Sequence, residues 1–256
     1  MAQRSPQALR ILVEDEHFVG LVKPAGLPTA NAARGEPSVF TILKQQLGPG
    51  AFLGIVSRLD APVSGVVVVA RTPRAAAALA EQFRERTVRK HYLAVVTGRF
   101  PAPTAAWVDW HDTISRREGQ RKSTLHRAAA GGNPPPAHDD AMEDAVEDSA
   151  GAEGLRPAHV RCRVMQRAGE VSLVELEPST GRRHQLRLQL ASRGCPIVGD
   201  RLYGSRLPFP DGGIALHAAR LEFEHPATGR LVVLESDRPE SWGRLFPSLG
   251  KKPRNA

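Results

Sequence analysis

Ser57-Arg58-Leu59-Asp60-Ala61-Pro62-Val63-Ser64-Gly65, running on into Val66-Val67-Val68-Val69-Ala70, is the stretch on which the reading of this chain turns. The valine run reads as β-structure, and so does the apolar lead Phe52-Leu53-Gly54-Ile55-Val56 ahead of it. Between them lies a turn rich in Pro, Ser and Gly, the kind of place where a scaffold presents a reactive side chain. Asp60 is the sole carboxylate in that turn. A carboxylate at the end of an apolar strand is costly to desolvate unless a cation or hydrogen-bond donors meet it. On this segment alone Asp60 also reads as an ordinary turn residue accepting backbone N–H groups.

Working outward, Arg10–Glu14 and Phe18–Val22 read as two short strands joined at Asp15-Glu16-His17, with Lys23-Pro24-Ala25-Gly26 breaking the pattern. Pro37-Ser38 opens a helix whose apolar residues Val39, Ile42, Leu43 and Leu47 keep helical spacing. Beyond the valine run, Thr72-Pro73 is a helix start, with Thr as N-cap and Pro in the first turn. Lys90–Val96 reads as a strand with Tyr92, Ala94 and Val96 on one side. Residues 99–127 read as a surface hairpin carrying Trp107, Trp110 and the basic cluster Arg116, Arg117, Arg121 and Lys122. Ala158–Met165 and Val171–Glu177 are two more β-type segments. In Thr180–Leu190 the alternation of Leu186, Leu188 and Leu190 argues strand, whereas the cap signal at Thr180 and the run to Gly194 argue helix. Pattern alone leaves that open. Leu216–Phe223 and Leu231–Leu234 read as a closing hairpin.

The chain has 256 residues, enough for one domain with a substantial core. Residues 133–155 hold seven acids and neither Lys nor Arg. Taking those seven from the 27 acids leaves 20 against 35 bases, a net charge of +15 on the rest of the chain. A body that basic suits a polyanionic partner, above all a nucleic acid. The segment 128–156, with its Gly, Pro and acid runs, reads as a disordered acidic insertion within a single domain. No apolar run approaches 18 residues, so no membrane span is expected, and no secretory h-region follows Met1–Pro6. Cys162 and Cys195 match no ligand spacing and read as free thiols in a reducing, cytoplasmic setting. No metal-ligand cluster and no Gly-rich nucleotide loop stands out. What remains is a carboxylate, a strand tyrosine and an arginine-dense segment, which suits a cofactor-free reaction on a polyanion with Asp60 as nucleophile or base.

These pieces resemble the RluA-type pseudouridine synthases. Ser57-Arg58-Leu59-Asp60 with Ser64-Gly65 is similar to the HRLD…TSG motif of that family, and Lys90–Gly98 to its KxYxAxVxG strand. Gly181-Arg182-Arg183-His184-Gln185-Leu186-Arg187 resembles the GRTHQIR segment. Glu14–Gly26, Pro196–Gly204 and Leu216–Pro226 match in the same order, so that the likeness covers nearly the whole chain outside 128–156. The departures are Ser57 in place of the usual His and Ala61-Pro62-Val63 in the spacer.

The resemblance implies an α+β fold: a mixed, mainly antiparallel central sheet with flanking helices and a basic catalytic cleft. It implies isomerisation of uridine to pseudouridine in ribosomal or transfer RNA. Apart from the resemblance, the chain is expected to act as a monomer. Asp60 takes the place of the catalytic carboxylate, Tyr92 packs on the target base, and Arg187 pairs with Asp60. Arg58, Arg182, Arg183 and His184 are the implied RNA contacts. Extruding a nucleotide costs a few kcal/mol, which stacking and phosphate contacts must offset. The competing reading is a non-catalytic RNA-binding or ribosome-assembly module on the same fold. A glycosidase would need a second carboxylate across the sugar, and no comparable motif supplies one.

Overall fold

A computed structural model of the chain describes residues 8–30, 32–33, 35–115, 123–127 and 154–249. Strands β1 (Arg10–Glu14) and β2 (Phe18–Lys23) form a hairpin. Its turn is closed by Asp15, whose Oδ1 accepts the N–H groups of His17 at 2.7 Å and Phe18 at 2.9 Å. Helix α1 (Val39–Leu47) starts in a capping box: Ser38 Oγ accepts the Thr41 N–H, and the Thr41 hydroxyl accepts the Ser38 N–H. Of the apolar lead at 52–56 only β3 (Gly54–Ile55) is strand; the remainder is irregular and carries the chain to Asp60.

The valine run is β4 (Ser64–Ala70), and all seven of its residues are buried. Helix α2 (Pro73–Arg84) follows, capped by Thr72 Oγ1 accepting the Ala75 N–H at 3.1 Å. Successive side chains of a strand point to opposite faces. Val67 and Val69 pack with Val39, Ile42 and Leu43 of α1, while Val66 and Val68 pack with Ala75 and Leu79 of α2. A helix on each face is why the run is apolar without interruption. Each buried valine contributes on the order of 1.5–3 kcal/mol, so four of them bind both helices to the sheet.

The remaining strands are β5 (Arg89–Thr97), β6 (Trp107–Ser115), β7 (Thr124–Arg127), β8 (Arg156–Ala168), β9 (Val171–Pro178), β10 (Leu216–Glu224) and β11 (Leu231–Glu235). Among the described residues they join β1–β4 in one eleven-stranded sheet, ordered β1-β2-β4-β10-β5-β9-β8-β6-β7, with β11 also on β10 and β3 on β4. Every pairing is antiparallel except β4 with β10. That parallel contact depends on Gly65, where φ is +128° and an added Cβ would lie 2.3 Å from the Ala218 carbonyl oxygen. The fold is thus α+β with a mainly antiparallel sheet, as the family resemblance implied.

Two sequence expectations take a different form. The segment at 180–190 is helix α3 (Gln185–Ala191), and it starts well after Thr180. Thr180 instead donates to Gln185 Oε1 at 2.7 Å and accepts the His159 N–H at 2.9 Å, tying the turn before α3 to β8. Of the insertion expected over 128–156, Gly154 and Leu155 are described without regular structure and Arg156 opens β8. Residues 128–153 lie outside the described residues, as do Arg116, Arg117, Arg121 and Lys122. The hairpin expected there is formed by β6 and β7, with Trp110 buried and Trp107 beneath the guanidinium groups of Arg161 and Arg163. Helix α4 (Glu240–Leu245) closes the core through Trp242.

Candidate active site

Asp60 lies in the loop before β4, and α3 brings Arg187 to it. Arg187 Nη1 donates to Asp60 Oδ2 at 2.9 Å, joining residues 127 positions apart in sequence. The guanidinium is itself held side-on by Asp200, with Nε to Oδ2 at 2.7 Å and Nη2 to Oδ1 at 2.9 Å. This bidentate fork fixes the plane of the group and aims Nη1 at Asp60. The Asp200 side chain is 1% exposed and that of Arg187 6%, while Asp60 remains 27% open. Burial works against the charge on Arg187, but the bonds and charge of Asp200, with Asp60 behind them, hold the guanidinium above its ordinary pKa.

His184 enters α3 in the left-handed region, at φ 57° and ψ 19°. A non-glycine residue there is uncommon, and such strain gathers at functional sites. The conformation turns its ring inward: Nδ1 meets the Tyr203 hydroxyl at 2.8 Å and Nε2 lies 3.6 Å from Asp60 Oδ2. Burial lowers the His184 pKa; Asp60 opposes this, and Arg187 and Arg183 add to it. The Tyr203 ring also lies under the Arg187 guanidinium, 5.1 Å from its centroid.

Tyr92, on β5, packs between two of the core clusters. Burial, and then the negative charge of Asp60, push its phenol above the ordinary range. Lys23, at the end of β2, is wholly buried. Its Nζ donates to the carbonyls of Pro24 at 3.0 Å, Leu27 at 2.6 Å and Ala61 at 3.0 Å. Burial brings its pKa down to about 7 against the pull of Asp60.

The structure therefore gathers Asp60, Arg187, His184 and Tyr92 into one electrostatic neighbourhood. Arg58 and Arg183 are exposed at its margin, and Arg182 is half-buried with Nε on the Pro157 carbonyl at 3.2 Å. A cavity of about 440 Å³ opens beside the cluster, between Arg187, Asp200, Pro62, Arg201, Phe209 and Ile214. Sequence reasoning left Asp200, Tyr203 and Lys23 without a role. Asp200 and Tyr203 stood inside a quoted motif, but a buried aspartate shows its purpose only with its partner in view. Lys23 stands in the stretch Lys23-Pro24-Ala25-Gly26, which the sequence marks only as a break in the strand pattern, whereas β2 runs on to include it. Among the described residues His91, Glu175 and Glu177 could together meet a metal, yet Arg163 already binds Glu175 at 2.6 Å and Arg161 lies 3.8 Å from Glu177.

Residues 17–192 match the family model described as RNA pseudouridylate synthase. The chain is 31% identical to the ribosomal large subunit pseudouridine synthase D of Nitrosomonas europaea, over 97% of this chain and 67% of that protein. It is 30% identical to the ribosomal large subunit pseudouridine synthase C of Escherichia coli K12, over 93% and 69%. Among solved structures, human RNA pseudouridylate synthase domain containing 4 superposes with a TM-score of 0.69 at 27% identity, covering 94% of this chain and 92% of that one. Likeness of sequence and of fold runs through the loop, the strand and the helix that assemble the site, and on that ground the chain belongs to the RNA pseudouridylate synthases, a family of isomerases.

Proposed function

We propose that this protein isomerises uridine to pseudouridine in ribosomal RNA, with Asp60 as the carboxylate at the reacting nucleoside. The reaction breaks the bond from C1′ to N1 and makes one from C1′ to C5; C5 gives up a proton and N1 gains one. No redox change occurs, and the side chains gathered here are of the acid–base and nucleophilic kind that such a reaction uses. The observation that carries the reading is the chain of contacts Asp200–Arg187–Asp60. Both Arg187 and His184 face Oδ2 of Asp60, and among the described residues Oδ1 receives no hydrogen bond. Oδ1 is therefore the oxygen offered to the nucleoside, while Oδ2 is held from behind. Tyr92 supplies the flat wall for the base, and Arg58 and Arg183 at the margin meet phosphates. The ribosomal substrate comes from what the named relatives act on, and the excess of basic residues suits it.

The test is to incubate the wild-type protein and Asp60→Asn with unmodified ribosomal and transfer RNA transcripts and map pseudouridine by chemical labelling and reverse transcription. Pseudouridine in ribosomal RNA with the wild type, and none with Asp60→Asn although RNA binding persists, is the expected result. An active Asp60→Asn protein removes Asp60 from the reaction. Modification of transfer RNA alone transfers the substrate, and binding without modification of either RNA turns the reading to a non-catalytic module.

A further inference from the structure

We infer that Thr29 is a positioning residue: its hydroxyl, working with Lys23, clamps the backbone on both sides of Asp60 and so sets where the carboxylate stands. The inference rests on the reading of Asp60 given above.

Asp60 belongs to neither helix nor strand. An irregular loop has no ladder to hold it, so a reacting group placed there needs another mount. Thr29 provides one on the N-terminal side. Its Oγ1 accepts the Leu59 N–H at 3.1 Å and donates to the Leu59 carbonyl at 3.0 Å. One buried hydroxyl thus satisfies both backbone groups of the residue before Asp60. On the other side the Ala61 carbonyl accepts the Gly26 N–H at 2.8 Å and Lys23 Nζ at 3.0 Å. The Asp60 carbonyl closes the turn onto the Val63 N–H at 3.0 Å.

The clamp is fixed in its turn. The first N–H groups of α1, which a helix leaves without internal partners, go to the clamp segment: Val39 N–H to the Pro28 carbonyl at 2.9 Å and Phe40 N–H to the Thr29 carbonyl at 3.1 Å. Thr29 is therefore held by α1 through its backbone and holds Leu59 through its side chain. The Leu59 side chain packs against all three large core clusters at once, so the residue beside Asp60 is tied to the whole core. Thr29 lies outside the motifs that carry the family resemblance, and a Thr in a turn reads from sequence as punctuation.

Thr29→Val tests this in the full-length protein, with Thr29→Ser and Lys23→Met as companions. Valine keeps the volume and removes both hydrogen bonds. A displacement of about 1 Å at a reacting group costs up to about 100-fold in rate. Single-turnover rate on the RNA modified by the wild type is expected to fall about 10- to 100-fold in Thr29→Val, with RNA affinity within about twofold and Thr29→Ser returning most of the rate. Lys23→Met is expected to lose rate in the same way, again with RNA affinity held. A Thr29→Val protein as fast as the wild type overturns the inference, as does a Thr29→Ser protein as slow as Thr29→Val, or a rate loss that only follows the unfolded fraction.

A second readout needs no substrate. Amide hydrogen exchange at Leu59 is expected to quicken about tenfold or more in Thr29→Val relative to the amides of β4, and to stay slow in Thr29→Ser. Unchanged exchange at Leu59 overturns the clamp. Faster exchange together with a wild type that modifies no RNA overturns the functional reading and supports the clamp.

Discussion

Helix α3 and the turn behind it carry two arginine–aspartate pairs that look alike in isolation. Arg187 lies on Asp200, and Arg193 lies on Asp112, each through two donors and each almost wholly out of solvent. Each guanidinium also covers an aromatic ring, Tyr203 at 5.1 Å in one case and Trp110 at 4.1 Å in the other. They differ in what else the arginine reaches. At the second pair everything turns inward: Arg193 Nη1 returns to the Gln189 carbonyl, and Gln189 Nε2 donates to the same Asp112. At the first pair one edge of the guanidinium points to a further carboxylate, Asp60, which is partly open to solvent. The first pair serves a group outside itself, and the second fastens α3 to β6. An ion pair is read as functional by where its remaining donor points.

The largest break in the likeness is expected in turnover. Lysine keeps the charge but has no planar fork, so it cannot hold one aspartate side-on and reach a second. Arg187→Lys is expected to lower single-turnover pseudouridine formation by about 100- to 1,000-fold, the scale of losing one preorganised electrostatic contact. Arg193→Lys, measured per folded molecule, is expected to stay within about threefold of the wild type, since Arg193 binds Gln189, Ser192 and Asp112 and reaches neither Asp60 nor the groups that hold it. Equal losses at the two positions would show that the integrity of α3, rather than the reach to Asp60, sets the rate.

Stability is expected to reverse the ranking. Removing one partner of a buried ion pair costs about 3–5 kcal/mol, because the other charge is left uncompensated. Asp112→Asn takes from Arg193 the carboxylate it lies on and is expected to carry that full cost. Asp200→Asn leaves Arg187 still facing Asp60 and is expected to cost less, with the double variant Asp60→Asn, Asp200→Asn recovering the larger figure. Urea unfolding of the four proteins reads this directly. A Asp200→Asn protein as unstable as Asp112→Asn would mean that Asp60 stands too far into solvent to compensate a buried guanidinium.

These contrasts also separate what was legible in the chain from what was not. The β4 run and the helix starts at Ser38 and Thr72 were legible because they rest on local chemistry: β-branched residues, hydroxyl caps and a proline in the first turn. The segment around α3 was not, and its burial explains why. Every residue from Gln185 to Leu190 is buried, the polar ones because each has a partner elsewhere in the fold. A helix covered on all sides has no polar stripe to give a period of 3.6, and three leucines at alternate positions then read as a strand just as well. The meeting of Asp60 with Arg187 spans 127 positions, and it was reached from family likeness because no local rule connects them. Asp200 and Thr29 act entirely through partners distant in sequence, so composition and spacing carried no trace of their roles.

The smallest expected effect is a pH dependence that belongs to the Arg187 end alone. His184 stands between Asp60 and Tyr203, with Arg187, Arg183 and Asp200 acting on its charge, and its pKa in the folded protein lies below the unperturbed 6.5. Below pH 6.5 the unfolded chain therefore binds a proton that folded His184 does not, and stability falls as pH drops from 6.5 to the folded value. One proton of difference gives a slope of at most about 1.4 kcal/mol per pH unit. His184→Gln, which cannot take up that proton, is expected to lose this part of the slope when unfolding free energies at pH 7.5 and 5.5 are compared with the wild type. The other histidines contribute equally to both proteins, so the difference between the two slopes isolates His184. Asp60→Asn is expected to steepen the loss, because the carboxylate that favours the imidazolium is gone. A His184→Gln slope equal to that of the wild type would show that His184 already titrates at its unfolded value, and that the ring turned toward Asp60 is not the neutral partner its burial makes it.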